Sequence, residues 1–407
     1  MGARCRGAGG RLSGWLSGWL SGWLAAGLAM VLLVACGGGG GGDVAGVGTG
    51  GTGTVSSVVT MGPISGFGSV IVAGVRYDDS RAVVTDEDGR VRSRADLKLG
   101  MVTTIRGSAD FVAGNGVAES IRFGSEIVGP VGGIDLAAGH FTVLGATVSV
   151  KPTTVFDERL AGLAALRPGD VVEVYGGFNA AAGAYTATRI ELRTQASPYK
   201  LRGAVTALDV VQRRFSLGGV RIDYDAVPGG ERAVLADGVV VQAFAARLPA
   251  GGVWRVDGVV PAQRAVLTGG ESKLEGSISS LSSQTAFVVD GVQVDAGAAR
   301  IAGVLAVGRR VEVEGYARDG VLVAREVETH DEDASDDEAF DLSGVMDEFD
   351  PASQRFRLRG LWINASGPVI FEQGSRSDLA NGRHVEVKGR FDSSSGTIIA
   401  ARIEFEY

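Results

Sequence analysis

The densest group of possible metal ligands in this chain lies in the segment 326–341, where nine of sixteen residues are acidic. Carboxylate oxygens are hard ligands of the kind that Ca²⁺ prefers in proteins. The candidate metal ligands are Asp331, Asp333, Asp336 and Asp337. The segment lacks the glycine and the closing glutamate of an EF-hand loop, and dense like charge usually forms a solvated linker. An acidic linker is therefore the leading interpretation, and weak binding of Ca²⁺ is the alternative.

One aromatic ring is a second candidate for contact with a ligand. Trp362 alternates with Leu361 and Ile363, so its ring is expected on the opposite face of the predicted strand. A ring that is buried or covered by a partner is the leading interpretation, and a ring that faces solvent and stacks on a sugar is the alternative. Trp362 is thus the candidate ligand-binding residue.

Catalytic constellations are not evident in the sequence. His140, His330 and His384 share no ligand spacing, and no HExxH, GxSxG or P-loop motif occurs. The acidic run 85–90 (TDEDGR) is typical of a hairpin turn, because Asp and Gly supply the local hydrogen bonds and the positive φ of tight turns. Nothing in the sequence gives this run a distant partner. We therefore expect a protein that is not an enzyme.

The N-terminus has the features of a bacterial lipoprotein signal. Three arginines and no acid precede a long apolar stretch, and the LVAC tetrapeptide that ends at Cys36 resembles the lipobox where the signal peptide is cut. We predict a signal peptide over 1–35 and a lipidated Cys36 that anchors the chain to a membrane. An uncleaved transmembrane anchor is the alternative. Gly37 occupies the position where an Asp favours inner-membrane retention, so the outer membrane is favoured.

The charge balance argues against a nucleic-acid partner. Removal of residues 1–35 takes away three Arg and no acid, which leaves 36 basic and 47 acidic side chains. Recognition of nucleic acid relies on basic surface. The two cysteines are Cys5 and Cys36, so no free thiol remains for a disulfide once the signal is removed and Cys36 carries lipid. Residues 36–61 are rich in glycine and predict a flexible tether.

A phrase with two glycines seven positions apart is repeated along the chain. The copies are Gly100–Gly107, Gly169–Gly176, Gly251–Gly258, Gly308–Gly315 and Gly382–Gly389. Apolar residues alternate between the glycines, as Val172 and Val174 do, and this alternation predicts a strand with one buried face. The glycines are expected where the chain turns or bulges.

Most copies follow a second phrase, in which two short apolar runs meet at a glycine as in a hairpin. Each unit then has about five short strands and a short helical piece before the fourth, which predicts an all-β fold: a tandem array of about five small OB-like β-barrel units. A single multi-bladed or solenoid β-architecture is the alternative, although the acidic insert favours units in a row. The predicted units are 62–124, 125–195, 199–270, 274–328 and 341–407, with an acidic linker at 329–340.

These repeats resemble the bacterial family catalogued as domain of unknown function 5666. The residues that carry the resemblance are Gly62-Pro63-Ile64, Phe287–Val294, and Gly169–Gly176 with Ala187–Ile190. It extends over roughly 62–405 and rests on structural glycines and core positions. The resemblance implies tandem β-rich units behind a lipoprotein or secretion signal. It implies no activity and no catalytic residues.

The recurring positions are glycines and apolar core residues, so the repeats preserve a fold rather than a site. The sequence therefore favours a lipid-anchored cell-envelope protein that acts as a non-enzymatic array of binding or scaffolding modules. Its expected contacts are the membrane, through the N-terminal lipid, and an envelope protein or polysaccharide. The alternative is an envelope lipoprotein that binds divalent cations or glycans.

Overall fold

The computed structural model describes residues 56–194, 198–262, 269–330 and 339–406, and these ranges build five closed β-barrels. All of them belong to one compact unit of the chain. The barrels are numbered 1 to 5 in chain order.

Barrel 1 shows the strand order that the others repeat. Its strands are β1 (Ser56–Phe67), β2 (Val70–Val72), β3 (Val75–Asp78), β4 (Val83–Thr85), β5 (Val91–Arg92), β6 (Val102–Asp110) and β7 (Asn115–Phe123). β1 pairs antiparallel with β2 and β6, β2 pairs with β3, β6 pairs with β7, and β3 lies parallel to β7. The ring β1-β2-β3-β7-β6 is therefore closed in the OB-like order, and a 3-10 turn precedes its fourth strand, β6.

Barrel 2 has the same ring with no additional hairpin. Its strands are β8 (Ile127–Asp135), β9 (His140–Val143), β10 (Ala146–Phe156), β11 (Val171–Asn179) and β12 (Ala184–Leu192). β8 pairs with β9 and β11, β11 pairs with β12, and β10 lies parallel to β12. The alternating Val172 and Val174 of β11 are fully buried in the barrel, as the repeated phrase predicts.

Barrel 3 keeps the order with its first and fifth strands each broken in two. Its elements are β13 (Tyr199–Ala204), β14 (Thr206–Asp209), β15 (Arg214–Leu217), β16 (Val220–Asp223), α1 (Gly229–Arg232), β17 (Val240–Ala245), β18 (Trp254–Arg255) and β19 (Gly258–Pro261). β13 pairs with β17, β17 pairs with β19, and β16 lies parallel to β18.

The fourth strand of barrel 3 does not lie at Gly251–Gly258, where the repeated phrase predicts it, so that prediction was wrong. The segment Gly251–Gly258 is a turn followed by the fifth strand, with Trp254 beside Ile222 in a parallel pair. The fourth strand is instead β17, which follows a positive-φ glycine at Gly238 and ends at Ala245. β17 pairs with β19 without a bulge, so the fourth strand of this barrel needs no glycine at its end. The seven-residue glycine interval that marks the fourth strand in the other barrels therefore matches a different segment here.

Barrels 4 and 5 complete the array. Barrel 4 contains β20 (Gly270–Ser283), β21 (Ala286–Val289), β22 (Val292–Asp295), β23 (Arg300–Ala302), β24 (Arg310–Arg318) and β25 (Val321–His330). Barrel 5 contains β26 (Phe340–Asp350), β27 (Arg355–Leu358), β28 (Leu361–Asn364), β29 (Ile370–Glu372), β30 (His384–Asp392) and β31 (Thr397–Glu406). In barrel 4, β20 pairs with β24, and β22 lies parallel to β25. In barrel 5, β26 pairs with β30, and β28 lies parallel to β31.

Strands also pair between barrels. β1 lies parallel to β20 of barrel 4 over Val58–Met61 and parallel to the start of β26 of barrel 5 at Gly66 and Phe67. β8 of barrel 2 pairs with β13 of barrel 3. Val58 lies in the core of barrel 1, whereas Val59 and Met61 on the other face of β1 pack into the core of barrel 4. Tandem order along the chain therefore does not mean separation in space.

Candidate functional site

A polar cleft of about 670 Å³ lies where barrels 1, 2 and 3 meet. Barrel 1 contributes the β4–β5 hairpin, barrel 2 contributes β11 and the end of β12, and barrel 3 contributes β13 and β17. This volume is within the usual range for small-molecule sites, which often form between domains. The cleft exists only because the three barrels are packed together.

The outward side chains of β11 form the floor of the cleft. Val172 and Val174 point into barrel 2, so Glu173 and Tyr175 point out of it, yet both are buried because the neighbouring barrels cover them. The corresponding outward positions in the other clear copies are Thr104 and Arg106, Glu312 and Glu314, and Glu386 and Lys388. An aromatic residue at an outward position, Tyr175, was the available sequence signal for this site, and the sequence analysis missed it.

A chain of polar contacts connects the three barrels beneath the cleft. The ammonium of Lys200 in barrel 3 donates to Glu87 of barrel 1 and to the Ser125 hydroxyl. Ser125 in turn donates to Glu173 at 2.7 Å, and Arg193 lies 3.1 Å from the second oxygen of that carboxylate. Buried charges need partners of this kind to offset their lost hydration.

A second buried ion pair joins barrel 3 to the start of barrel 2. The Arg202 guanidinium lies 2.8 Å from the Glu126 carboxylate, and its Nε donates to the carbonyl of Ala262 at 2.9 Å. Both charged groups are almost fully buried. The contact holds the walls of the cleft together without entering its open space.

Arg189 connects barrels 1 and 2 at the side of the cleft. Its fully buried guanidinium donates to the carbonyl of Leu99 at 3.1 Å and lies 2.8 Å from Glu191 and 3.2 Å from Glu158. Burial raises the pKa of Glu191, and the nearby Arg189 charge only partly offsets that effect.

The acidic run of barrel 1 is a turn, as the sequence predicts. β4 and β5 pair across it, and the Asp86 carboxylate accepts the backbone N–H of Asp88 and Arg90 at 3.1 and 2.9 Å. Burial opposes ionisation, but the hydrogen bonds from the Arg90 backbone and the Arg92 side chain lower the pKa of Asp86. The expectation that this run has no distant partner was wrong, because Glu87 binds Lys200, 113 positions away.

Tyr175 provides a hydroxyl with unused hydrogen-bonding capacity. Its side chain is 1% exposed and lines the cleft, and its hydroxyl bonds to no group in the part of the chain that the structure describes. Burial, reinforced by the negative charge of Glu173, raises the pKa of Tyr175 well above its ordinary value. The phenol is therefore neutral and available as a donor.

A separate polar cluster lies between barrels 1 and 5. Arg76 of barrel 1 is 2.9 Å from Asp341 and 3.5 Å from Glu386, both in barrel 5. Lys388 lies 3.7 Å from each of the same two carboxylates. The cluster joins the barrels at the parallel pairing of β1 with β26.

Trp362 lies on the outward face of β28, opposite the buried Leu361 and Ile363, as the alternation predicts. Its ring is half-buried, and the guanidinium carbons of Arg357 and Arg355 lie 4.6 and 5.8 Å from the ring centroid. Arginines of the same barrel thus occupy the stacking surface. A role for Trp362 in ligand binding stays a prediction.

The other predicted site residues lie outside the described ranges. These are Cys36 and the four acidic residues Asp331, Asp333, Asp336 and Asp337. Within the described ranges, no group of three or more His, Cys, Asp or Glu side chains is placed to hold a metal ion. None of the helices in those ranges is both long enough and apolar enough to cross a membrane.

The strand order and the inter-barrel junctions define an all-β protein of tandem OB-like barrels. Segments 128–191, 275–328 and 343–404 match the family described as "Domain of unknown function (DUF5666)". The matched segments lie in barrels 2, 4 and 5, and for these three barrels they confirm the resemblance drawn from the repeated phrases. The description of the family names no activity.

The remaining comparisons add little to this assignment. No curated protein matches the chain. A solved structure titled "drosophila Unr CSD456" is similar at 14% identity and a TM-score of 0.16, over 51% of this chain and 98% of the other. A likeness of that degree carries no argument about function, and the strand pairing itself assigns the fold class.

Proposed function

We propose that this chain is a lipid-anchored protein of the bacterial cell envelope whose five barrels form one non-enzymatic scaffold for binding. The observation that carries the proposal is the strand pairing between barrels, in which β1 pairs with β20 and β26 and β8 pairs with β13. Hydrogen-bonded strands fix the barrels relative to one another. A surface that is already ordered loses less entropy when a partner binds it.

The N-terminal sequence supports the envelope part of the proposal. A basic start, an apolar stretch and the LVAC tetrapeptide occur in the order of a lipoprotein signal, and residues 36–61 provide a glycine-rich tether. The glycine after Cys36 favours the outer membrane. An envelope protein or a polysaccharide is then the accessible partner.

In-cell cross-linking of the full chain, followed by mass spectrometry of the co-purified material, tests the scaffold role. We expect a reproducible envelope partner that is recovered with the wild-type chain and lost with Cys36→Ala, because the variant leaves the membrane surface. If the wild-type chain captures nothing more than Cys36→Ala does, the scaffold proposal is wrong.

Membrane fractionation tests the anchor separately. Cys36→Ala should move the protein out of the membrane fraction, because a single lipidated residue supplies the attachment. The matched control is Cys5→Ala, which lies within the proposed signal peptide and should leave the protein in the membrane fraction. Retention of Cys36→Ala in membranes would instead support an uncleaved transmembrane anchor.

A further inference from the structure

The cleft between barrels 1, 2 and 3 contains a hydroxyl donor that the fold does not use. The Tyr175 hydroxyl lines the cleft without a hydrogen-bond partner in the described part of the chain, whereas the equally buried Tyr185 donates to the carbonyl of Arg202 at 2.7 Å. A hydroxyl without a partner in the fold can donate to a molecule that occupies the cleft. The Tyr175 hydroxyl therefore offers a free donor to a ligand.

The charges that line the cleft nearly cancel. Six are acidic and five are basic: Asp86, Glu87, Asp88, Asp96, Glu173 and Glu191 against Arg90, Arg92, Lys98, Arg193 and Lys200. Four pairs neutralise one another locally, namely Lys200 with Glu87, Arg193 with Glu173, Arg92 with Asp86 and Arg90 with Asp88. A cleft without a strong field of either sign selects neither polyanions nor cations.

The remaining lining combines a neutral amide with apolar surface. The side-chain amide of Gln242 makes no hydrogen bond within the described residues and offers both a donor and an acceptor. Phe123, Phe244 and Val260 supply apolar surface beside it. Neutral hydrogen-bonding groups next to apolar surface suit a molecule that has hydroxyl groups on its rim and C–H groups on its faces.

We propose that this cleft binds a neutral saccharide, with the Tyr175 hydroxyl donating to a sugar oxygen and the Gln242 amide bonding to a neighbouring hydroxyl. The proposal deepens the proposed binding role by naming a ligand class, and it rests on that role only in treating the barrels as a binding body. Loss of a cross-linked partner in cells would leave the cleft intact, so the two proposals fail in different experiments.

Saturation-transfer NMR and calorimetric titration of the purified full chain test the proposal. The protein is kept in a detergent without a sugar headgroup, and the probes are maltose and N,N′-diacetylchitobiose. A dimer of galacturonic acid serves as the anionic comparison. We expect a neutral disaccharide to bind with a Kd of about 1 mM or tighter and the anionic dimer to bind more weakly.

The decisive variant is Tyr175→Phe. It should weaken disaccharide binding by about tenfold or more without lowering the melting temperature, because the lost hydroxyl has no partner in the fold. Tyr185→Phe should lower the melting temperature, since its hydroxyl bonds to Arg202. Tyr316→Phe, an exposed tyrosine in barrel 4, is the control that should bind like the wild-type chain.

Two results would overturn the inference. If neither neutral disaccharide binds at about 20 mM, the ligand class is wrong. If Tyr175→Phe and Gln242→Ala both bind as the wild-type chain does, the sugar lies elsewhere on the protein and the cleft is not its site.

Discussion

Asp341 is a single residue whose surroundings decide its protonation at the contact between barrels 1 and 5. Burial and the charge of Glu386 raise the pKa of Asp341 to about 6, although Arg76 and Lys388 act in the opposite direction. One of its carboxylate oxygens is also buried without a hydrogen bond to any residue that the structure describes. Folding therefore stabilises the protonated form of Asp341 more than the ionised form, relative to the unfolded chain.

The sign of the resulting pH dependence follows from linkage. A carboxyl group with a raised pKa contributes stability below its unfolded pKa of about 4 and loses that contribution as the pH rises through about 6. Asp341→Asn mimics the protonated form and removes the titration. We therefore expect the variant to gain stability relative to the wild-type chain between pH 4 and pH 7, by roughly 2–3 kcal/mol at most.

Thermal unfolding of both chains across that pH range measures this difference. The comparison uses the change in melting temperature of Asp341→Asn relative to the wild-type chain at each pH, which removes the effect of other carboxylates. Asp347→Asn, an exposed residue on the same strand, is the matched control. A difference that stays constant from pH 4 to pH 7 would show that Asp341 does not titrate there.

At the scale of single elements, the closing glycine of the fourth strand shapes each barrel that contains it. The fourth and fifth strands shift register at Gly107, Gly176, Gly315 and Gly389. A Cβ at these positions would lie 2.0–2.4 Å from a backbone carbonyl oxygen of the fifth strand. The bulge that bends the two strands into the barrel wall therefore requires glycine.

Gly389→Ala tests this requirement in barrel 5. The added methyl would meet the carbonyl oxygen of Ile399 at 2.4 Å, and overpacking of this kind usually destabilises by about 1–3 kcal/mol. We expect faster hydrogen exchange of the β30 and β31 amides. Gly367→Ala is the matched control in the same barrel, because its methyl would meet nothing within 4 Å. Equal protection in the two variants would contradict a steric role for the bulge glycine.

The elements that local sequence determines could be predicted. Alternation identifies β11, β24 and β30, and the glycine spacing marks their turns and bulges, because both features act between neighbouring residues. The fourth strand of barrel 3 could not be predicted in this way. Its fourth strand ends at Ala245 and needs no bulge, so the recurring glycine interval matched a different segment.

The candidate site could not be predicted in the same way. Glu173, Tyr175, Lys200 and Glu87 come from three barrels, and only the packing of those barrels brings them together. Sequence alone places Glu173 and Tyr175 on the outer face of a strand, which normally means exposure to solvent. Their burial depends on the neighbours of the barrel, which local patterns do not encode.

At the scale of the whole molecule, the barrels stabilise one another through strand pairing and polar contacts between them. Barrel 5 contacts barrel 1 through the parallel pairing of Gly66 with Asp341 and through the ion pair of Arg76 with Asp341 at 2.9 Å. A Cβ at Gly162 of barrel 2 would lie 2.1 Å from the carbonyl oxygen of Ser393, so barrel 5 also approaches barrel 2 closely. These contacts do not depend on the covalent linker before barrel 5.

Cleavage of that linker separates the two sources of cohesion. A protease site inserted between residues 334 and 335 would allow the purified chain to be cut before barrel 5. We expect the fragment 335–407 to remain with the rest of the chain on size exclusion, because the pairing of β1 with β26 and the half-buried ion pairs of Arg76 hold it there. Arg76→Ala should weaken this association, so that the fragment separates at a higher total concentration than in the wild-type chain, since Asp341 and Glu386 lose the cation that barrel 1 supplies. Arg81→Ala, which changes an exposed arginine in the same barrel, should not weaken the association.

Separation of the wild-type fragments on cutting would mean that the linker, rather than the barrel contacts, keeps barrel 5 in place.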